Sequence, residues 1–354
     1  MTLKELIISI SRIMSVSGNE RRGGEELVSL VGSVFDEHRT DALGNHLFIK
    51  RCGRPGAPKI LVDTHFDEIG MMVTGIQEGG FVTVTNIGGV DTRILPGSEV
   101  ILYGKEPVYG VFAAKAPHLS TPAEMEKLTP LSEMLIDTGY AKEELEELCP
   151  IGTPVGFKPI YAELLNECLA GKAFDDKACG ACAIFGIDAV QKKDLAGDVY
   201  FLFSAFEETG MTGARVAAFG LRPDYALVLD VTHAATPDTK ELSLPAFGSG
   251  VSVAVSPVTN RKLTAMVMEL CRTGNIPYSL DACPGGTGTN ANVTGISGDG
   301  IPTALCSLPL KSMHTSAEVL CMEDANALKR IVSAFIKSKE IAEVYGKGNM
   351  RELN

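Results

Sequence analysis

The chain repeatedly drives a short apolar segment up to a carboxylate or a histidine and stops there. F-L-F-S-A-F-E-E-T-G ends on Glu207 and Glu208, K-I-L-V-D-T-H-F-D on His65 and Asp67, Y-A-L-V-L-D on Asp230, and T-A-L-C-S-L-P-L-K-S-M-H on His314. Apolar runs of this length read as buried strands. Helical stretches such as M-T-G-A-R-V-A-A-F lie between them, so the pattern predicts an α/β sheet with helices on both faces. Sites in open sheets of that kind form beyond the carboxyl ends of the strands. Glu207 and Glu208 pose the sharpest question there. Two carboxylates about 4 Å apart repel by roughly 4 kcal/mol at an effective dielectric near 20. A loop relieves that with water; a buried site relieves it with a cation.

K-A-F-D-D-K-A-C-G adds Asp175 and Asp176 ahead of a small-residue helix. Each feature has an ordinary reading by itself: a rim histidine, an N-cap, a solvated pair of glutamates. Placed together at strand ends, two histidines and several carboxylates suit a divalent ion. Mixed N/O ligation fits Zn²⁺, Co²⁺ or Mn²⁺ better than Ca²⁺ or Mg²⁺. Asp67, two residues after His65, is placed to receive the other ring N–H. His38, His46 and His118 lack this context and read as structural, while His233 is close enough to Asp230 to be a weaker rival ligand.

Helical periodicity covers roughly 2–15 and 22–38, followed by strand, turn and strand around Gly44–Asn45. From about 70 to 164 the character changes to short alternating β segments punctuated by Gly and Pro, with one helical patch at A-K-E-E-L-E-E-L. Strand–helix alternation then resumes, with helices near 261–274 and 323–342. The expected organisation is an α/β domain in two parts, 1–69 and 165–354, interrupted by a small, mostly β insertion at 70–164.

At 354 residues with 45% hydrophobic content, there is ample material for a core. The net charge of −12 leaves no basic stripe for phosphates, which argues against a nucleic-acid partner. No apolar stretch approaches the ~20 residues of a membrane span, and the N-terminal segment is interrupted by Lys4, Glu5 and Arg12, unlike a secretory signal. Nine cysteines without framework spacing point to reduced thiols and a cytoplasmic setting. Cys179 and Cys182 have C-x-x-C spacing but no second pair, and read as packed thiols.

D-T-H-F-D-E-I-G, F-D-D-K-A-C-G, F-E-E-T-G-M-T-G-A, L-D-V-T-H-A and M-H-T-S-A-E-V stand in the order seen in one family. Over almost its whole length the chain resembles the dinuclear metallo-aminopeptidases that include glutamyl aminopeptidase, deblocking aminopeptidases and the tetrahedral TET-type peptidases. That resemblance implies a mixed-sheet, zinc-exopeptidase-like catalytic domain. It implies two divalent ions, Zn²⁺ or Co²⁺ with Mn²⁺ as a further option. His65 and Asp230 would hold one, Glu208 and His314 the other, and Asp175 would bridge them. Glu207 would be the general base for a water activated between the metals, and Asp67 would orient His65. Substrate contacts would come from Lys311, Gly286 and Thr287. Short peptides would be the substrates, and the insertion would build homo-oligomers from dimers to dodecamers. The chain departs from the family pattern at Lys177, where Arg is usual, at Lys311-Ser312, where Arg-Tyr is usual, and at Asn290, where Asp is common. A glycoside hydrolase is an alternative, since related proteins have carried endoglucanase labels, but with no Trp and only 8 Tyr there are few platforms for sugar rings. A non-catalytic assembly protein is a third reading, and the presence of every implied ligand speaks against it.

Overall fold

Four parallel strands, Asp198–Ser204, Lys59–His65, Tyr225–His233 and Thr303–Lys311, lie side by side in the middle of a mixed sheet. The computed structural model describes residues 1–122, 126–239 and 243–346. The sheet has 11 strands among the described residues, the outer ones mostly antiparallel. Successive residues of a strand face opposite sides. Val62, Phe201 and Leu227 accordingly pack under helices Leu3–Arg12, Phe174–Asp188, Arg261–Thr273 and Met322–Lys337. Leu61, Leu202 and Ala226 pack against Ala218 of helix Thr212–Leu221 on the other face. The helix Phe174–Asp188 is buried over most of its length. Its small residues let it lie close to the sheet: a Cβ at Gly180 would sit 2.2 Å from the Phe203 ring. Cys179 and Cys182 are fully buried, unpaired residues of that helix.

Strands Gly70–Ile76, Val82–Ile87, Ile136–Asp137, Pro107–Phe112, Glu99–Tyr103 and Pro154–Phe157 close into a small antiparallel barrel around its own core of Val73, Val84, Val100, Leu102 and Phe112. Each barrel strand has a neighbour on both sides, the pairing of Val82–Ile87 with Ile136–Asp137 being limited to Val82 and Ile136. Strand Ala162–Leu164 pairs with Cys168–Gly171 and belongs to the large sheet.

Three local expectations need correction. The helix expected over 22–38 spans only Gly24–Val31 between short 3₁₀ turns. Glu37–Thr40 is instead a strand, paired with His46–Lys50 through a loop in which the Asp41 carboxylate accepts from the amides of Leu43, Gly44 and Asn45. The last helix breaks at Ser338, whose hydroxyl caps the amide of Ile341 and starts a separate helix, Lys339–Tyr345. Asp230 does not end its strand, which runs on to His233; only its pairing with Lys59–His65 stops, at Val228.

Candidate metal centre

Strands Lys59–His65 and Asp198–Ser204 end level with one another, Ser204 lying beside His65, while the other two parallel strands run a few residues further. Beyond that edge is a cavity of about 520 Å³. His65, Asp175, Glu207, Glu208, Asp230 and His314 all line it. His65 Nε2 lies 3.0 Å from Asp175 Oδ1 and 4.0 Å from Asp230 Oδ1. His314 Nε2 lies 3.1 Å from Asp175 Oδ2 and 3.4 Å from Glu208 Oε1. The donors thus form two groups, His65–Asp175–Asp230 and Asp175–Glu208–His314, each with its ligand atoms within 4.8 Å of one another. Asp175 belongs to both. His233 lines the cavity but joins neither group, and Cys179 and Cys182 lie outside both.

The main chain sets the imidazole tautomers. His65 Nδ1–H donates to the Asp67 carbonyl at 2.9 Å, and His314 Nδ1–H donates to the Gly89 carbonyl at 3.2 Å. Both Nε2 atoms therefore face the carboxylates, the arrangement in which a second partner orients a metal-ligating histidine. Gly89 comes from the barrel, and a Cβ there would sit 2.8 Å from His314 Nδ1. The loop after barrel strand Val82–Ile87 thus backs His314, through a residue whose only sequence signal is the G-G pair at 88–89.

Charge is concentrated here. Burial pushes Glu207 up to about 7, with Asp67 and Asp175 adding repulsion. Burial and the neighbouring acids raise Glu208 and Asp230 well above the ordinary carboxylate range. Hydrogen bonding to Asp175 lifts His314 to about 9. Asp175 is held low by the two imidazoles, against its burial. Glu207 Oε1 is buried and has no hydrogen-bond partner among the described residues. A set of mixed N/O donors, basic imidazoles and carboxylates that repel one another favours cations. The residues therefore fit a pair of divalent ions.

The Asp67 side chain lies beside His65 and also serves the neighbouring turn. Its Oδ1 is 3.6 Å from His65 Nδ1, while its two oxygens accept from the amides of Glu207 at 3.0 Å and Glu208 at 3.1 Å. Asp67 therefore holds the turn that presents the two glutamates. Glu318 is a residue whose role the sequence left unread. Its Oε2 accepts from the amides of Phe174 at 2.7 Å and Asp175 at 3.2 Å, and its Oε1 from the amide of His314 at 3.1 Å. It ties the shared carboxylate to the second histidine. An acid opening the otherwise apolar strand E-V-L-C was the signal.

Thr287 lines the cavity; Gly286 and Lys311 do not. Lys311 Nζ instead sits 4.0 Å from the centroid of the Phe247 ring. Lys177 points away from the cavity and donates to the Ile13 carbonyl at 2.6 Å and to Glu68 at 3.2 Å. Asn290 lies behind the strand ends, donating to Ser204 Oγ at 2.7 Å near Asp63, which burial pushes up to about 8. An aspartate at 290 would set a second carboxyl beside it. His38 and His46 stack on each other, apart from this site, and His118 is exposed.

The M42 glutamyl aminopeptidase family model matches residues 44–331. The lysyl aminopeptidase of Pyrococcus furiosus is 33% identical over 94% of this chain and 96% of that one. An aminopeptidase from the archaeon Desulfurococcus kamchatkensis superposes with a TM-score of 0.89 at 29% identity, over 98% of both chains. The TET1 peptidase of Pyrococcus horikoshii, described as able to assemble into a tetrahedron or a large octahedral shell, superposes with a TM-score of 0.83 at 28% identity, over 95% of this chain and 99% of that one. With its motifs, its fold and the match over most of its length in agreement, the chain belongs to the M42 glutamyl aminopeptidase family.

Proposed function

We propose that the protein is a dinuclear metallo-aminopeptidase that removes N-terminal residues from short peptides. The observation carrying this reading is the pair of three-donor groups that share Asp175 in one cavity. His65 and Asp230 would hold one divalent ion, Glu208 and His314 the other, with Asp175 between them; Zn²⁺ or Co²⁺ suits the donors best, and Mn²⁺ next. Such ions lower the pKa of water from 15.7 to about 7 and polarise the scissile carbonyl. Glu207 takes the proton of the attacking water and passes it to the leaving amine. The acids lining the cavity give a free N-terminal amine its partners. An acetylated N-terminus offers no such cation.

The test is a panel of aminoacyl chromogenic substrates with free and acetylated N-termini. Free termini are expected to be cleaved, with activity lost in EDTA and restored by Co²⁺ or Zn²⁺. Cleavage of acetylated substrates alone, or indifference to chelation, would overturn the reading. No observation at the site favours the glycosidase alternative.

The barrel is proposed to be an inserted assembly module; of the segment expected over 70–164, strand Ala162–Leu164 pairs within the large sheet, so the proposed division falls between Phe157 and Ala162. Leu119, Leu128 and Ile151 are exposed apolar residues of this segment, between 64% and 72% accessible. Burying such side chains between subunits stabilises association. The TET1 relative is described as able to assemble into a tetrahedron or a large octahedral shell. Light scattering at micromolar concentration is expected to give a dimer or larger species, and a monomer alone would refute it. All nine cysteines are free, which supports a reducing, cytoplasmic setting. No helix among the described residues is long and apolar enough to cross a membrane.

A further inference from the structure

Four consecutive amides, those of residues 205 to 208, each donate to a side-chain oxygen from another part of the chain. Ala205 donates to Asn45 Oδ1 at 2.8 Å, Phe206 to Glu20 Oε1 at 3.0 Å, and Glu207 and Glu208 to the two oxygens of Asp67 at 3.0 and 3.1 Å. Phe206 stands at φ +60°, in the left-handed region that a side chain disfavours. Residues are held there only where their surroundings over-determine the backbone. This is the bend that lets adjacent glutamates share one cavity, although strand geometry would send them to opposite faces. Asp67 acts directly on the glutamates. Glu20, 1% exposed, acts one residue earlier, on the strained residue itself, and its Oε1 also accepts from the amide of Gly18 at 3.0 Å.

We propose that Glu20 is a positioning residue for the reaction: its acceptor oxygen fixes the Phe206 bend and so aims Glu207 into the cavity. This rests on Glu207 being the general base. The side chain lies outside the cavity lining, so its effect on chemistry passes through the main chain. A misplacement of about 1 Å can cost on the order of 10²-fold in rate. A glutamine at this position keeps an acceptor oxygen at the same reach for the Phe206 and Gly18 amides. What the bend needs is the acceptor atom at its present reach.

Three variants test this. Glu20→Gln keeps the acceptor and is expected to hold kcat within about threefold of wild type. Glu20→Asp keeps the charge but withdraws the oxygen by one methylene, and Glu20→Ala removes it. Both are expected to lose about 10–10²-fold in kcat, with KM unchanged. Hydrogen exchange of the metal-free proteins gives a readout independent of turnover. Amides 205–208 are expected to exchange at least about tenfold faster in Glu20→Asp and Glu20→Ala, with the rest of the sheet unaffected and Glu20→Gln like wild type. Should Glu20→Ala fail to fold, the Asp and Gln variants decide the matter. Wild-type exchange at 205–208 in Glu20→Asp would overturn the proposal. So would a Gln variant as impaired as the Asp variant, or a loosening spread over the whole chain. Failure of the base assignment would show separately, as full activity in Glu207→Gln, and the exchange result would still decide the role of Glu20.

Discussion

Glu207→Gln is expected to lower kcat by about 10²–10⁴-fold, the usual worth of a positioned acid or base, while metal content stays at the wild-type level. The substitution keeps the shape of the side chain and removes its proton acceptor. Glu207 belongs to neither donor group, although it lines the same cavity and its Oε1 has no hydrogen-bond partner among the described residues. Its neighbour should behave differently. Glu208 lies 3.4 Å from His314 and belongs to the group with Asp175, so Glu208→Ala is expected to empty or weaken one metal position and to lower thermal stability in metal-replete buffer. Metal analysis and turnover on the two variants separate a proton carrier from a ligand. Metal loss in Glu207→Gln with retention in Glu208→Ala would reverse the assignments, and full activity in both would reduce the pair to a structural turn.

Glu68→Ala is expected to cost about 3–5 kcal/mol of stability and roughly 4–7 °C in Tm. Glu68 is buried between strands Lys59–His65 and Gly70–Ile76, where the chain passes from the large sheet into the barrel. Its carboxylate pairs with two buried ammonium groups, Lys172 and Lys177, and accepts from the amide of Ser15. Burial alone would raise Glu68, but the two lysines hold it below the ordinary range; Lys177, deeply buried, is itself lowered to about 8. Removing the one anion leaves two cations in a dry interior. The same physics predicts a rescue. Replacing all three residues with Met removes the cluster's three charges together, and stability should return to near the wild-type level, because apolar replacement of a buried ion cluster is often neutral or better. If Glu68→Ala melts within a degree or two of wild type, water reaches the lysines and the triad matters little to stability. This cluster also locates the departure at Lys177 in the packing beneath the site rather than in the substrate cavity. Lysine offers three donors where arginine would offer five, and here the Ile13 carbonyl and Glu68 take up its ammonium group.

Apolar runs and the polar residues that stop them mark which strands form the centre of the sheet and what they carry. Apolar runs too short for helices must be buried in a sheet, and their polar ends must lie at its edge, so His65, the Glu207–Glu208 pair and His314 were legible from period and punctuation alone. Glycine-rich alternation likewise marked the barrel. What the sequence could not supply was long-range pairing. The strand Glu37–Thr40 forms because His46–Lys50 offers it a ladder, against a helical pattern that held only as far as Val31. Asp230 lies inside a strand because Thr303–Lys311 continues beside it after Lys59–His65 has ended. Gly89 reaches His314 across 225 residues of chain, and Glu20 reaches Phe206 across 186. Those contacts depend on the distance between two backbones, which no local pattern encodes. Local propensity chose the central strands and most helices, and chemistry chose the donor atoms. Tertiary structure alone chose the acceptors behind them — the Asp67, Asn45, Glu20 and Glu318 oxygens — because a buried amide takes whatever oxygen the fold brings within about 3 Å.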